Sequence, residues 1–396
     1  MTSVHAKVAS EVAAIPFNLP PVTGKEIAYL EDALRRRELE AYNYYTCRCQ
    51  AWLQEQLGVR EALLTHSCTA ALEMTAILAE LGPGDEVIMP SYTFTSTANA
   101  VVLRGSVPVF VDIRPDTLNI DPVKIEAAIT PRTKAIFVVH YAGVCADMDE
   151  IRAIAKAHGL WVVEDAAQAL LSTYCGRPAG ALGDLGCFSF HASKNIVAGE
   201  GGALTINSSD FAERAYVIAE KGTNRRQFFA GLVDKYSWVD IGSSYGPSEL
   251  TAAFLLAQLE AAKGIISARL AVWHRYHESF AELEAREALR RPVVPAECGH
   301  NGHIYYLIMP SNELRDAMIA QLAFFGIKAP FHYMPLHSAP AGKRYGRTSG
   351  SLSVTEEMSA RLLRLPLFWD IDGLAEKVID RVYSAWGAIA PAGQAA

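Results

Sequence analysis

The stretch Gly186-Cys-Phe-Ser-Phe-His-Ala-Ser-Lys194-Asn-Ile-Val-Ala-Gly199-Glu-Gly-Gly202-Ala-Leu sets one lysine between an aromatic, strand-prone run and a glycine cluster that leads into a second apolar run. A lysine in such company is out of place, because its ammonium group favours water. Burial disfavours the charged form and lowers the pKa. The neutral amine that results is a nucleophile toward carbonyl groups. Taken alone, Lys194 also reads as an ordinary loop lysine, and only partners elsewhere in the chain can make it catalytic. Gly199 to Gly202 allow a tight turn beside it.

Upstream, the apolar run Leu160 to Val163 ends in Glu164-Asp165-Ala-Ala-Gln168. A carboxylate closing a buried strand must find a partner, either as a helix N-cap or as an acid facing a ligand. Neighbouring side chains in a strand point to opposite faces, so Glu164 and Asp165 cannot both face one ligand, and Asp165 is the stronger candidate. Further upstream, Ala62-Leu-Leu-Thr-His-Ser67-Cys-Thr69-Ala70 reads as a short strand turning into a helix. Free N–H groups at such a start suit a phosphate, although Ser67 or Thr69 acting as an N-cap explains the same residues. Ser91-Tyr-Thr-Phe94 opens another helix.

The remaining pattern predicts strands at Glu86–Pro90, Val107–Val111 and Ala135–His140, and helices at Thr23–Arg37, Met148–His158 and Asp210–Lys221. Strands alternating with helices predict an α/β domain with a large mixed, mostly parallel sheet and helices on both faces. In such sheets the carboxyl ends of the strands build the ligand site. A long helix from about Ile265 to Ala288 holds the expected boundary to a smaller C-terminal α+β domain. The expected divisions are a flexible leader at 1–14, a large domain at 15–270 and a small domain at 271–396.

Composition narrows the functions. Hydrophobic residues at 51% and charged residues at 20% are those of an ordinary globular chain, and no apolar run reaches the roughly 18 residues of a membrane helix. The net charge of -7 leaves no basic footprint for nucleic acid. Seven scattered cysteines point to a reducing cytoplasm rather than a disulfide framework, and Cys47-x-Cys49 lacks a second half for zinc, so no metal site is expected.

Four pieces then stand in order: a hydroxyl-rich helix start, Phe94, Asp165 with Gln168, and Lys194. Pyridoxal phosphate needs a phosphate cradle, a ring stacker, a counter-ion for its pyridine nitrogen and a Schiff-base amine, in a chain with no competing catalytic pattern. The runs Cys68-Thr-Ala-Ala-Leu, Gly84-Asp-Glu-Val-Ile-Met-Pro-Ser-Tyr-Thr-Phe, Val163-Glu-Asp-Ala-Ala-Gln, Ser189-Phe-His-Ala-Ser-Lys-Asn, Phe331-His-Tyr-Met-Pro-Leu-His337 and Leu363-Arg-Leu-Pro-Leu resemble the DegT/DnrJ/EryC1/StrS sugar aminotransferases. These belong to the aspartate-aminotransferase-like, fold type I group of pyridoxal-phosphate enzymes.

The resemblance implies a role for each matching residue. Lys194 forms the Schiff base, Asp165 pairs with the pyridine nitrogen, Gln168 contacts the ring hydroxyl and Phe94 stacks on the ring. Thr69, the Ala70 N–H and Ser189 hold the phosphate, and Ser244 stands where relatives reach the neighbouring subunit's phosphate. His191 lies beside this set without an assigned role. Within the family, Arg48-Cys-Gln-Ala-Trp, Glu220-Lys-Gly-Thr-Asn-Arg and Asp240-Ile-Gly-Ser-Ser-Tyr245 are most similar to dTDP-4-amino-4,6-dideoxygalactose transaminases. That likeness implies transfer of an amino group from L-glutamate, which leaves as 2-oxoglutarate, to C4 of dTDP-4-keto-6-deoxy-D-glucose. The gluco epimer and a 3-keto or UDP-linked sugar stay open. Tyr45, Arg225, His332 and His337 are the substrate-contact candidates, and the family implies a homodimer or larger assembly with shared sites. A deoxygenating relative would carry histidine in place of Lys194, and a transcription regulator would need a DNA-binding wing.

Overall fold

The computed structural model describes residues 14–391, so the expected leader lies outside the described residues except for Ala14. The strands are β1 (Glu61–Thr65), β2 (Glu86–Pro90), β3 (Val107–Val111), β4 (Thr133–Val139), β5 (Trp161–Asp165), β6 (Thr173–Tyr174) and β7 (Arg177–Pro178). They continue with β8 (Leu185–Ser189), β9 (Gly202–Ile206), β10 (Cys298–Gly299), β11 (Tyr305–Ile308), β12 (Arg347–Thr348) and β13 (Leu362–Leu365). Eight of them form one sheet in the order β1-β9-β8-β5-β4-β2-β3-β12. Only β9 runs against the others, pairing antiparallel with both β1 and β8. The sheet is therefore mostly parallel, as the alternating pattern predicts.

Strand periodicity separates two hydrophobic layers. Ile88, Val109, Val111, Ile136, Val138 and Val162 enter one core. Their neighbours Val87, Met89, Phe110, Phe137 and Val163 enter the other. Side chains along a strand alternate between faces, so buried apolar residues at consecutive positions need a cover on each side. The first face is covered by helices that include α1 (Glu26–Arg36) and α2 (Tyr44–Leu57), the second by helices that include α3 (Cys68–Leu78) and α4 (Thr95–Val102).

A third core joins the two-stranded sheet β11-β13 to the helices Asn312–Phe324 and Asp372–Ile389. The change of core falls inside the helix Ala262–Ser279: Ile265 packs under the large sheet, whereas Val272, Trp273 and Tyr276 pack in the third core. That helix stops at Ser279, short of the expected Ala288, and a separate turn of helix follows at Ala281–Ala285. Two segments cross the expected division. Ile15 pairs with Ile327 in the third core. Arg347 and Thr348 add β12 to the edge of the large sheet, tied there by Arg347 donating to the buried Glu86 carboxylate at 3.0 and 2.7 Å. Among the described residues, no single helix is long and apolar enough to cross a membrane.

Candidate active site

The carboxyl ends of β1, β2, β4, β5 and β8 open on a cavity of about 680 Å³. Its walls bring together Ser67, Cys68, Thr69, Phe94, Asp165, Gln168, Ser189 and Lys194, which lie up to 127 positions apart in the chain. Proximity of this kind comes from the parallel topology, which returns each strand to the same edge.

Lys194 sits in the turn after β8. Its N–H donates to the His191 carbonyl at 2.9 Å, and Ala192 N–H donates to the Gly199 carbonyl at 2.8 Å, closing the turn. Its side chain lines the cavity, and desolvation pushes the amine below its usual range. The carboxylate of Asp165 and the thiol of Cys68 act in the opposite direction, and the Arg364 charge adds to the depression.

Asp165 is buried, and its Oδ2 accepts a 2.6 Å hydrogen bond from the Thr97 hydroxyl while Oδ1 accepts from Ala167 N–H at 3.2 Å. Glu164 faces the other way. It accepts from His140 Nε2 at 2.8 Å and from the N–H groups of Gly180, Leu182 and Gly183 at 2.6–2.7 Å. Strand alternation thus assigns adjacent acids to different tasks: Glu164 is consumed in the fold, and Asp165 looks into the cavity.

Ser67 is the N-cap of α3, and its Oγ accepts from Ala70 N–H at 3.1 Å. The Ala70 N–H is therefore already satisfied by the cap, which corrects the expectation that it faces a phosphate. The first-turn N–H groups of Cys68 and Thr69 precede any intrahelical acceptor and border the cavity. Thr69 Oγ1 lies 2.7 Å from Ser96 Oγ. Gly202 explains part of the glycine cluster: a Cβ there would stand 2.3 Å from the Ser67 carbonyl carbon. Only glycine lets β9 press against the start of α3.

Phe94 caps α4 and is 56% exposed, an aromatic face open to the cavity. Gln168 lines the wall with both polar atoms engaged, Oε1 accepting from Ala142 N–H and Nε2 donating to the Tyr333 hydroxyl, each at 2.8 Å. One Nε2 hydrogen remains for a ligand.

The substrate candidates divide. His332 lines the cavity, with Nδ1 2.7 Å from the Tyr141 hydroxyl and its ring stacked on Tyr333 at 3.8 Å, and burial pushes its pKa well down. Tyr45 does not reach the cavity: it is 2% exposed in the core, donating to Asp32 at 2.9 Å. His337 instead braces the loop after β2, 2.7 Å from Ser91 Oγ. Arg225 pairs with Glu220 at 3.6 Å, outside this cavity. Ser244 lies on an exposed segment that does not reach its own chain's cavity. The three corrections, at Tyr45, His337 and Arg225, have one cause: sequence proximity to a motif does not fix which way a side chain packs. Sequence reasoning missed Phe17, His303, Tyr333 and Arg364, all on the cavity wall. Tyr333 and Arg364 stood inside matched runs, but nothing local marks any of the four.

The cavity suits pyridoxal phosphate on three observations. A desolvated lysine faces it, a buried acid is held by Thr97 and an amide, and the Gly202 contact leaves a helix start uncovered beside Ser189. A lysine and an acid at the carboxyl edge of a mostly parallel sheet, with a smaller α+β unit beside it, fit a pyridoxal-phosphate-dependent enzyme. The comparisons narrow the class. The profile of the DegT/DnrJ/EryC1/StrS aminotransferase family matches residues 21–385, and the chain belongs to that family. It is 35% identical to the spore coat polysaccharide biosynthesis protein SpsC of Bacillus subtilis, covering 94% of this chain and 98% of SpsC. It is 34% identical to GDP-perosamine synthase of Caulobacter vibrioides, covering 95% and 98%. A putative sugar aminotransferase of Streptococcus pneumoniae, Spr1654, superimposes with a TM-score of 0.86 at 27% identity, covering 96% of this chain and 100% of that one in its pyridoxal phosphate form. It is also solved in the pyridoxamine phosphate form. The protein is a sugar aminotransferase that uses pyridoxal phosphate.

Proposed function

We propose that the enzyme transfers an amino group from L-glutamate to C4 of dTDP-4-keto-6-deoxy-D-glucose, giving the 4-amino-4,6-dideoxygalactose product. The observation that carries the reading is a desolvated Lys194 sharing one cavity with the buried Asp165. When bound, pyridoxal phosphate supplies an aldehyde that exchanges amino groups and a ring that delocalises the electrons left by proton loss. Lys194 Nζ, its charged form disfavoured, acts as the nucleophile and then carries a proton between carbon atoms as base and acid. Asp165, oriented by Thr97, offers a negative charge that holds a proton on the ring nitrogen. Cys68 and Thr69 N–H groups, with Ser189, would hold the phosphate, and Phe94 would cover one ring face. His332, held from behind by Tyr141, lies on the wall open to the sugar.

The choice of sugar rests on the motif likeness given above. The 34% identity to GDP-perosamine synthase supports a second reading in which the nucleotide is GDP. The test is incubation with glutamate and 4-keto-6-deoxy sugars linked to dTDP, UDP or GDP, followed by NMR of the product amine. Formation of the axial C4 amine on the dTDP sugar is expected. An equatorial amine, or turnover only with another nucleotide, would replace the substrate assignment. Lys194→Ala is expected to abolish both visible cofactor absorbance and turnover, and wild-type turnover in that variant would remove Lys194 from the mechanism.

The enzyme is also proposed to be a homodimer. Phe229, Leu232, Trp238 and Val239 are 73%, 75%, 80% and 56% exposed, an apolar surface that a partner copy would cover, with Ser244 close by in the chain. Seven free cysteines support a reducing, cytoplasmic location.

A further inference from the structure

The loop His300-Asn301-Gly302-His303, just ahead of β11, is pinned from three sides. Arg269, buried in the helix Ala262–Ser279, donates to the carbonyls of Gly302 at 3.1 Å and His303 at 2.6 Å. Asn301 Nδ2 donates to the carbonyls of Gln168 and Leu170 at 2.9 and 3.0 Å. Asn195, next to Lys194 in the chain, donates from Nδ2 to the Asn301 carbonyl at 2.9 Å. That contact turns Asn195 Oδ1 toward His303 Nδ1, 2.9 Å away. An amide oxygen only accepts, so Nδ1 carries the ring proton and the neutral ring keeps its lone pair on Nε2. Nε2 bonds to no atom among the described residues and is not sealed in the interior, and His303 borders the cavity. Burial, and then the charges of Lys194, Arg269 and Arg364, push the ring well below its usual pKa, so the lone pair stays free.

We infer that His303 accepts a hydrogen bond from a ring hydroxyl of the sugar substrate, and that Asn195 is the positioning residue that sets its tautomer. This rests on the sugar aminotransferase reading of the cavity. An imidazole lone pair selects by sign, because it accepts a hydrogen and repels an anionic oxygen. The carboxylates of an amino donor and the phosphates of a cofactor or nucleotide present acceptors only, and the donor's amine is the group that reacts. The ring hydroxyl of the cofactor is met by Gln168 in the reading given above. The hydroxyls of the sugar ring are left to donate to a neutral acceptor on this wall. Such a site discriminates strongly, because a substrate lacking the hydroxyl leaves a buried acceptor unpaired. The contacts of Arg269, Asn301 and Asn195 hold the imidazole in place before any substrate arrives, so the acceptor is pre-organised.

Two measurements on the holoenzyme test this, one spectroscopic and one kinetic. With isotope-labelled histidine, the nitrogen NMR signals that disappear in His303→Phe are expected to show a protonated Nδ1 and a bare Nε2. The opposite tautomer, or a doubly protonated ring at neutral pH, would overturn the inference. The kinetic test separates the two half-reactions through the visible absorbance of the cofactor, which falls as glutamate reacts and returns as the keto sugar reacts. His303→Phe is expected to lower kcat/KM for the sugar half-reaction roughly 5- to 150-fold and to leave the glutamate half-reaction within about twofold. His303→Gln, which restores an acceptor, is expected to recover part of the loss. Against the 2-deoxy and 3-deoxy forms of the sugar, the His303→Phe penalty is expected to vanish for one of them. Unchanged kinetics, equal loss in both half-reactions, loss confined to glutamate, or a full penalty on both deoxy sugars would each overturn the inference. Should His303→Phe not fold, His303→Gln assigns the nitrogen signals and the wild-type tautomer decides. The probe is whichever of the dTDP-, UDP- and GDP-linked 4-keto-6-deoxy sugars wild-type enzyme turns over, so failure of the dTDP assignment leaves the His303 result readable. Turnover of none of the three would overturn both.

Discussion

Lys194 and Asp165 show how residue chemistry acquires meaning from position. The amine is pushed down by desolvation, while Cys68 and Asp165 act in the opposite direction. Asp165 itself is oriented by a hydroxyl from another element, Thr97 in α4. A charge-assisted O–H···O⁻ bond of 2.6 Å is among the stronger contacts a buried carboxylate makes. We expect Thr97→Val to lower turnover about tenfold, corresponding to roughly 1.4 kcal/mol, with cofactor retained. Asp165→Asn should lose more, because it removes the charge as well as the orientation. Steady-state kinetics beside absorbance spectra would check both, and an unimpaired Asp165→Asn enzyme would remove the acid from the mechanism. Both residues were legible in the sequence, because a lysine and an acid at the ends of buried strands are each anomalous there. Thr97 was not, since a threonine in a helix carries no such signal.

At the scale of elements, two contacts decide how the site is assembled. The first is the approach of β9 to α3 at Gly202. We expect Gly202→Ala to cost roughly 1–3 kcal/mol of stability, as overpacking does, and to weaken cofactor binding by displacing the Ser67–Thr69 turn. Thermal unfolding and cofactor titration would show both, and an unchanged cofactor affinity would mean that the turn is held independently. The second is the loop from His300 to His303, whose far end lines the cavity. Its near end packs against the helix Ala262–Ser279, where Trp273 stands 4.4 Å from His300 and 4.7 Å from His277. Burial and the neighbouring His274 and His277 push His300 from 6.5 down to about 4. An unfolded histidine protonates more readily than this one. The stability it contributes is therefore complete above pH 6.5 and declines as pH falls toward 4. His300→Phe should flatten the stability profile across that window by an amount on the order of 2 kcal/mol, measured by denaturant titration at several pH values. An unaltered slope would place the acid sensitivity elsewhere.

The whole molecule brings the two units together through crossing segments: Ile15 in the third core, β12 on the large sheet, and the helix Ala262–Ser279 that spans both cores. The cavity wall consequently includes residues from Phe17 to Arg364. The segment from Phe228 to Ile241 exposes apolar side chains, with Trp238 at 80%. We expect Trp238→Asp combined with Leu232→Asp to shift the protein from dimer to monomer in sedimentation, and to lower turnover if the sites are shared. A wild-type monomer would reject the dimer reading, and dimeric double-variant protein would place the interface elsewhere.

By itself, the sequence determined the alternation of buried strands and helices, the acid and lysine that interrupt apolar runs, and the helix starts at Ser67 and Phe94. Each is a local conflict or a local periodicity, and such signals survive without knowledge of neighbours. The tertiary structure alone decided that Tyr45 and His337 pack away from the cavity, that Ser67 has already taken the Ala70 N–H, and that Phe17, His303 and Arg364 line the wall. Those facts depend on which side chains meet across the two units. For Arg364 the decisive property is that no carboxylate among the described residues acts on its charge, and the composition of a chain does not reveal how a charge is paired. Pairing is a relation in space.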